Sequence, residues 1–262
     1  MKNLFLSILV LALIISSCGE TNENNDSKVI LNFNHLCDNA TLSNNLLSHI
    51  NEAGENYNVQ TLKYILTDIK LISDYKDHDA VVIKDLHFVD FSDPSTMYIE
   101  SEVIENGSYT LSFRFGLHAD INIADNYTNE SFHASMDWPP MIDPNTGMEM
   151  GGGYHYMKLE GAYINDSTFY NTHTGPTMAM DHSFVINFDT QLNIDNNTRN
   201  LEYSINMNIN NWYQNPNTIN LAPMIMMDMQ KQMQLMNNGM TDVFTLQGIL
   251  AVSYTHLRAH ET

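Results

Sequence analysis

Apolar and polar residues alternate through most of the chain. "KVILNFNHL" puts Val29, Leu31 and Phe33 on one face, and "VQTLKYILTDIKLI" does the same with Leu62, Tyr64 and Leu66. The phase then slips before Ile69 and Leu71 resume it, which predicts a β-bulge between Leu66 and Ile69. "AVVIKDLHFVDF", "GSYTLSFRFGLHADI", "GYHYMKLEGAYI", "HSFVINFDTQLNI" and "NLEYSINMNINNWY" continue the pattern. Val, Ile, Tyr and Phe fill these runs, and Asn, Asp, Gly and Ser separate them. Such spacing predicts an all-β fold, an antiparallel β-sandwich of about seven to nine strands. One stretch departs from it. "APMIMMDMQKQMQLMN", residues 222–237, favours a C-terminal helix with Pro223 in its first turn and Gly239 at its end. On that helix Met224, Met227 and Met236 are expected to share a face that packs on the sandwich.

The two ends stand apart from the fold. Lys2, the run "LFLSILVLALII" and "SSC" have the form of a secretory signal over residues 1–17. Its apolar core is too short to span a bilayer. Cys18 stands where a lipoprotein signal places its lipidated thiol, so the chain is expected to be lipid-anchored to the outer membrane, periplasmic or surface-exposed. Residues 18–28 hold "GETNENNDS", with nothing apolar to pack, and read as a tether. At the other end "VSYTHLRAHET", residues 252–262, resembles a translated adapter sequence foreign to the protein, so His256 and His260 are set aside as ligands. A single domain over residues 29–251 remains. The formal net charge of −20 repels phosphates and anionic lipid headgroups, which excludes nucleic acid as a partner and favours the approach of cations. With Cys18 lipidated, Cys37 is the one cysteine left and cannot form an intramolecular disulfide. It is either buried or a metal ligand.

No Gly-x-Ser-x-Gly, phosphate loop or His-Glu-x-x-His occurs, and nothing favours catalytic residues or an enzyme. Histidine carries the chemistry instead. Nine lie in the body, and imidazole is the commonest protein ligand for copper and zinc. His35, His118 and His155 fall in predicted strands or at their ends, and His133 and His173 in loops, a placement that suits a preorganised site. "MDWPPMIDPNTGMEMGGGYHYMKLEG" adds a second signal. Its three consecutive glycines permit a sharp turn that strains other residues, and that turn would bring Trp138 back towards His155.

These segments, in order, resemble the MbnP-like family of copper-binding exported proteins, relatives of methanobactin-associated periplasmic proteins. "LNFNHLCDNATL", "TLKYILTDIKL", "FRFGLH", "MDWPP…GGGYHYMKLEG", "NTHTG", "WYQNP" and "NNGMTDVF" carry the likeness. The resemblance implies a β-sandwich that binds copper, with ligands drawn from His35, His118, His133, His155 and His173, for copper acquisition or storage at the cell envelope. It also implies Trp138 as a tryptophan oxidised to kynurenine by a partner di-haem protein of the peroxidase type, with Trp212 a packing residue. Two departures stand out. "PPMIDPNTGMEM" lengthens the loop behind Trp138 and could hold it away from a metal, and Cys37 beside His35 is unusual. Protonation of imidazole near its ordinary value of about 6.5 would weaken such binding as pH falls through roughly 6. The alternative is a metal-free surface β-sandwich lipoprotein that binds a glycan or a protein through its loops.

Overall fold

The computed structural model describes residues 27–249, apart from short breaks at 44–48, 76–77, 143, 145–146, 148, 165–166, 178–179, 196–197 and 199. The expected signal segment, Cys18 and the 252–262 tail lie outside the described residues. Nine longer strands build the fold: β1 (Lys28–Cys37), β2 (Thr61–Ser73), β3 (Val81–Asp90), β4 (Gly107–Phe115), β5 (Met157–Tyr163), β6 (Thr168–Thr174), β7 (Phe184–Ile194), β8 (Asn200–Asn208) and β9 (Phe244–Ile249). They form two sheets. The smaller runs β9-β8-β1, with Ala40–Thr41 and Tyr98–Glu100 added along β1. The larger runs β7-β4-β2-β5, continues into Asn56–Tyr57 and His49–Ile50, and takes β3 on β2 and β6 on β5. Every long pairing is antiparallel except β1 with β8.

The alternation translates directly into burial. Val29, Leu31 and Phe33 of β1 and Leu62, Tyr64, Leu66, Ile69 and Leu71 of β2 all lie in the core between the sheets. The phase slip in β2 is a bulge. Register shifts on both flanks of Thr67–Lys70, and Asp68 takes a φ of 52°. Trp212 follows β8 in a 3-10 turn, Asn210–Tyr213, fully buried against Phe115 and Phe184. It is the packing residue that the sequence suggested.

The C-terminal helix needs correction. It spans Met229–Thr241 and not residues 222–237. Residues 222–225 are captured by β6 instead: the Asn171 amide donates to the Ala222 carbonyl (3.1 Å) and the Ile225 amide to the Asn171 carbonyl (3.5 Å). The helix starts where Asp228, as N-cap, accepts from the Lys231 amide. Its buried face is Gln232, Leu235, Asn238 and Gly239. The expected methionine face is therefore wrong in part: Met236 packs on the core, but Met224 is 64% exposed.

The described part of residues 116–156, between β4 and β5, folds over the outer face of the larger sheet. Phe88, on that face of β3, packs on Phe132 (5.6 Å between centroids), which heads a one-turn helix, His133–Met136. This excursion carries Trp138 and the three glycines.

Candidate metal centre

The glycine turn does what its sequence requires. Gly151, Gly152 and Gly153 all take positive φ, between 78° and 89°. The chain doubles back so that the Trp138 amide donates to the Gly153 carbonyl (2.9 Å) and the Gly152 amide to the Trp138 carbonyl (2.8 Å). One step further, the His155 amide donates to the Met136 carbonyl (2.8 Å). These bonds set Trp138 and His155 side by side, with rings stacked at 4.6 Å and 15°. The insertion in "PPMIDPNTGMEM" does not displace the indole. Within it Met141–Ile142 pairs with Glu149–Met150 as a short ladder.

Trp138 sits in a slot made by absent side chains. A Cβ on Gly151 would fall 2.5 Å from its Cδ1, and one on Gly175 would fall 2.5 Å from its Cε3. The indole is 1% exposed, and its Nε1 is buried with no hydrogen-bond partner.

A second imidazole completes the group. β5 and β6 form a hairpin whose register places His173 opposite Lys158. Met157 and Leu159 turn into the core, so Lys158, Glu160 and His173 share the outer face. His173 lies against His155, with centroids 4.8 Å apart at 66°. Its Nε2 bonds Glu160 Oε1 at 2.6 Å, and this bond is the main cause of a Glu160 carboxyl held below its ordinary range. Gln232 of the C-terminal helix locks the strand end: its amide donates to the His173 carbonyl (2.7 Å) and accepts from the Gly175 amide (3.3 Å).

The electrostatics leave His155 ready to donate. Burial, helped by His173 and Lys158, pushes the His155 pKa down to about 2, so the ring is neutral over the whole ordinary pH range. The Glu160 carboxylate orients the His173 ring through Nε2 and leaves Nδ1 as its other ring nitrogen. Nδ1 of His155 and Nδ1 of His173 are both buried without a partner. Two adjacent imidazoles with unmet ring nitrogens, one oriented by a carboxylate, are a donor set that fits copper.

Of the five histidines singled out in the sequence, the structure brings together His155 and His173. His35 points into the sandwich, its Nε2 3.0 Å from the Tyr64 hydroxyl and its ring edge-on to Phe91. His118 is exposed and pairs with Asp120 (3.1 Å). His133 Nδ1 bonds the Tyr154 hydroxyl (2.9 Å). Among the described residues no three His, Cys, Asp or Glu side chains are grouped to hold a metal ion. Glu160 and Gln232 were missed. Strand alternation in "HYMKLEG" combined with a hairpin to "FYNTHTG" could have found Glu160, while nothing local marks Gln232.

Residues 26–228 match the sequence model of the MbnP family. Among solved structures, MbnP from Methylosinus trichosporium superposes with a TM-score of 0.55 at 11% identity, covering 84% of this chain and 98% of that one. No curated protein matches in sequence.

Proposed function

The chain belongs to the MbnP family, and from that premise we propose that it is an exported, lipid-anchored protein that binds copper at the cell envelope through His155 and His173. The observation that carries this reading is the imidazole pair itself, adjacent, neutral at His155 and with both Nδ1 atoms unmet. Two nitrogen donors satisfy Cu(I), which accepts low coordination numbers. His155 and His173 would hold the copper, and the indole of Trp138, stacked on His155 and kept in one orientation by the glycine slot, would be the ring that a di-haem partner oxidises. Because His155 stays neutral far below pH 6, proton competition at this ring does not weaken binding as pH falls through that value; such a loss would have to arise at other groups.

Competition titration against a chromophoric Cu(I) chelator tests the assignment. His155→Ala and His173→Ala are expected each to lose the tightly bound ion, and His78→Ala, an exposed residue in a turn, to keep it. Retention of parental affinity by both site variants refutes it. Intact mass of the native protein reads Trp138 separately: a kynurenine mass gain at that residue supports partner oxidation, and unmodified tryptophan removes that part alone.

A further inference from the structure

Lys158 stands on the outer face of the β5–β6 hairpin that carries His173. The register sets it directly opposite that histidine, where facing side chains are about 5 Å apart at Cβ. On its other flank it faces Lys63 of β2. Its ammonium is close enough to His155 to act on that ring as well, and it helps to push the His155 pKa down.

The charges around Lys158 leave it unpaired. The Lys63 ammonium is held by the Asp90 carboxylate (3.0 Å), and the Glu160 carboxylate by His173 (2.6 Å). Glu160 and Asp137 attract Lys158 and Lys63 repels it, but among the described residues no carboxylate lies within ion-pairing distance of its ammonium. Burial is the main influence on that group and lowers its pKa. A half-buried cation without a partner costs stability, and this one adds repulsion from a neighbouring lysine. A neutral side chain of the same length would carry neither cost, so the fold gives no reason for the charge.

The neighbouring imidazoles give one. Bringing a cation up to a fixed ammonium costs Coulomb work once for a monocation and twice for a dication at the same position. The factor by which Lys158 weakens a divalent ion is therefore the square of the factor for a monovalent one. Such discrimination matters in this chain. A net charge of −20 draws divalent cations as readily as copper, and imidazole is a ligand that zinc and copper share. Rejecting the wrong ion takes a repulsive element.

We propose that Lys158 is a specificity-determining residue of this centre: its ammonium, opposite His173 on the outer face of the hairpin, excludes divalent cations and reserves the imidazole pair for copper(I). The inference rests on the copper reading of His155 and His173, and the test separates the two. Metal-free protein is titrated anaerobically with Cu(I) and, separately, with Zn(II), each against a chromophoric chelator, in the parent, Lys158→Met and Lys158→Arg chains. The Zn(II) counted is the ion lost with His155→Ala. Lys158→Met keeps the length of the stem and removes the charge. It is expected to raise Cu(I) affinity roughly 3–10-fold and Zn(II) affinity roughly 10–100-fold, the square of that factor. Lys158→Arg keeps the charge and should match the parent with both ions. Equal factors for the two ions, no change in Lys158→Met, or a Lys158→Arg chain that behaves like it each overturn the proposal. If His155→Ala and His173→Ala bind Cu(I) as the parent does, the copper reading fails and this one with it. If they lose the ion while Lys158→Met moves both ions equally, this one fails alone.

Discussion

The slot that holds Trp138 can be closed by one methyl group. In Gly175→Ala the new Cβ would stand 2.5 Å from Trp138 Cε3, closer than real carbon contacts allow, while its nearest other neighbour, His155 Cα, is at an ordinary 3.6 Å. The buried indole has to move, and overpacking of this kind costs roughly 1–3 kcal/mol. Gly175 is not among the glycines at positive φ, so alanine fits the backbone and regains roughly 0.4–1 kcal/mol by restricting the unfolded chain. The net expectation is a loss of about 1–2 kcal/mol, which lowers Tm by roughly 2–8 °C for a domain of this size. The decisive comparison is a double-mutant cycle. Trp138→Ala alone is expected to cost about 3–5 kcal/mol by opening a cavity. In that background the methyl group has nothing to strike, and Gly175→Ala should become neutral or slightly stabilising, a coupling of at least about 1 kcal/mol. Urea unfolding followed by the fluorescence of Trp212, present in all four proteins, gives the four stabilities. An equal penalty with and without the indole would show that the slot is not what Gly175 maintains.

Two other expectations follow from the titratable side chains. His35 and His87 both have their pKa pushed down to about 4 by burial, against an unfolded value near 6.5, so the unfolded chain binds more protons between those limits. The stability that rests on keeping them neutral is complete above about pH 6.5 and drains away as pH falls towards 4, at about 1.4 kcal/mol per pH unit for each residue; a denaturant midpoint unchanged between pH 7 and 5 contradicts this. Glu160→Gln replaces the carboxylate that accepts from His173 with a weaker acceptor, and Cu(I) affinity measured by chelator competition should fall roughly 10–100-fold with the fold intact, whereas an unchanged affinity removes Glu160 from the site.

Much of the sandwich could be read from residue order because each strand carries its own evidence. Val29, Leu31 and Phe33 alternate, and they are buried for the reason they alternate. Even the bulge at Asp68 was visible as a broken phase. The helix was misplaced because its boundaries are set by partners far away in sequence. Asn171 holds residues 222–225 extended, and the methionines that looked like a packing face proved less binding on the fold than Gln232 and Asn238, two polar residues whose partners are backbone groups of other elements.

The candidate centre was half legible for the same reason. Trp138 and His155 belong to one local device: three glycines at positive φ and the hydrogen bonds that the turn permits, all within a few residues of sequence return. A reader of the chain can see the glycines and infer the turn. His173 joins them through the register of a hairpin, which sets Lys158 opposite it, and that register is fixed by which faces of β5 and β6 are apolar. His35 illustrates the opposite case. It sits at a strand position of the same parity as Val29, Leu31 and Phe33, so the alternation that identified the strand already placed its ring between the sheets, in contact with Tyr64 and Phe91. A histidine in phase with a core face packs among the core's aromatic rings, whereas His155, released by a turn, and His173, on the outer face of β6, meet each other instead.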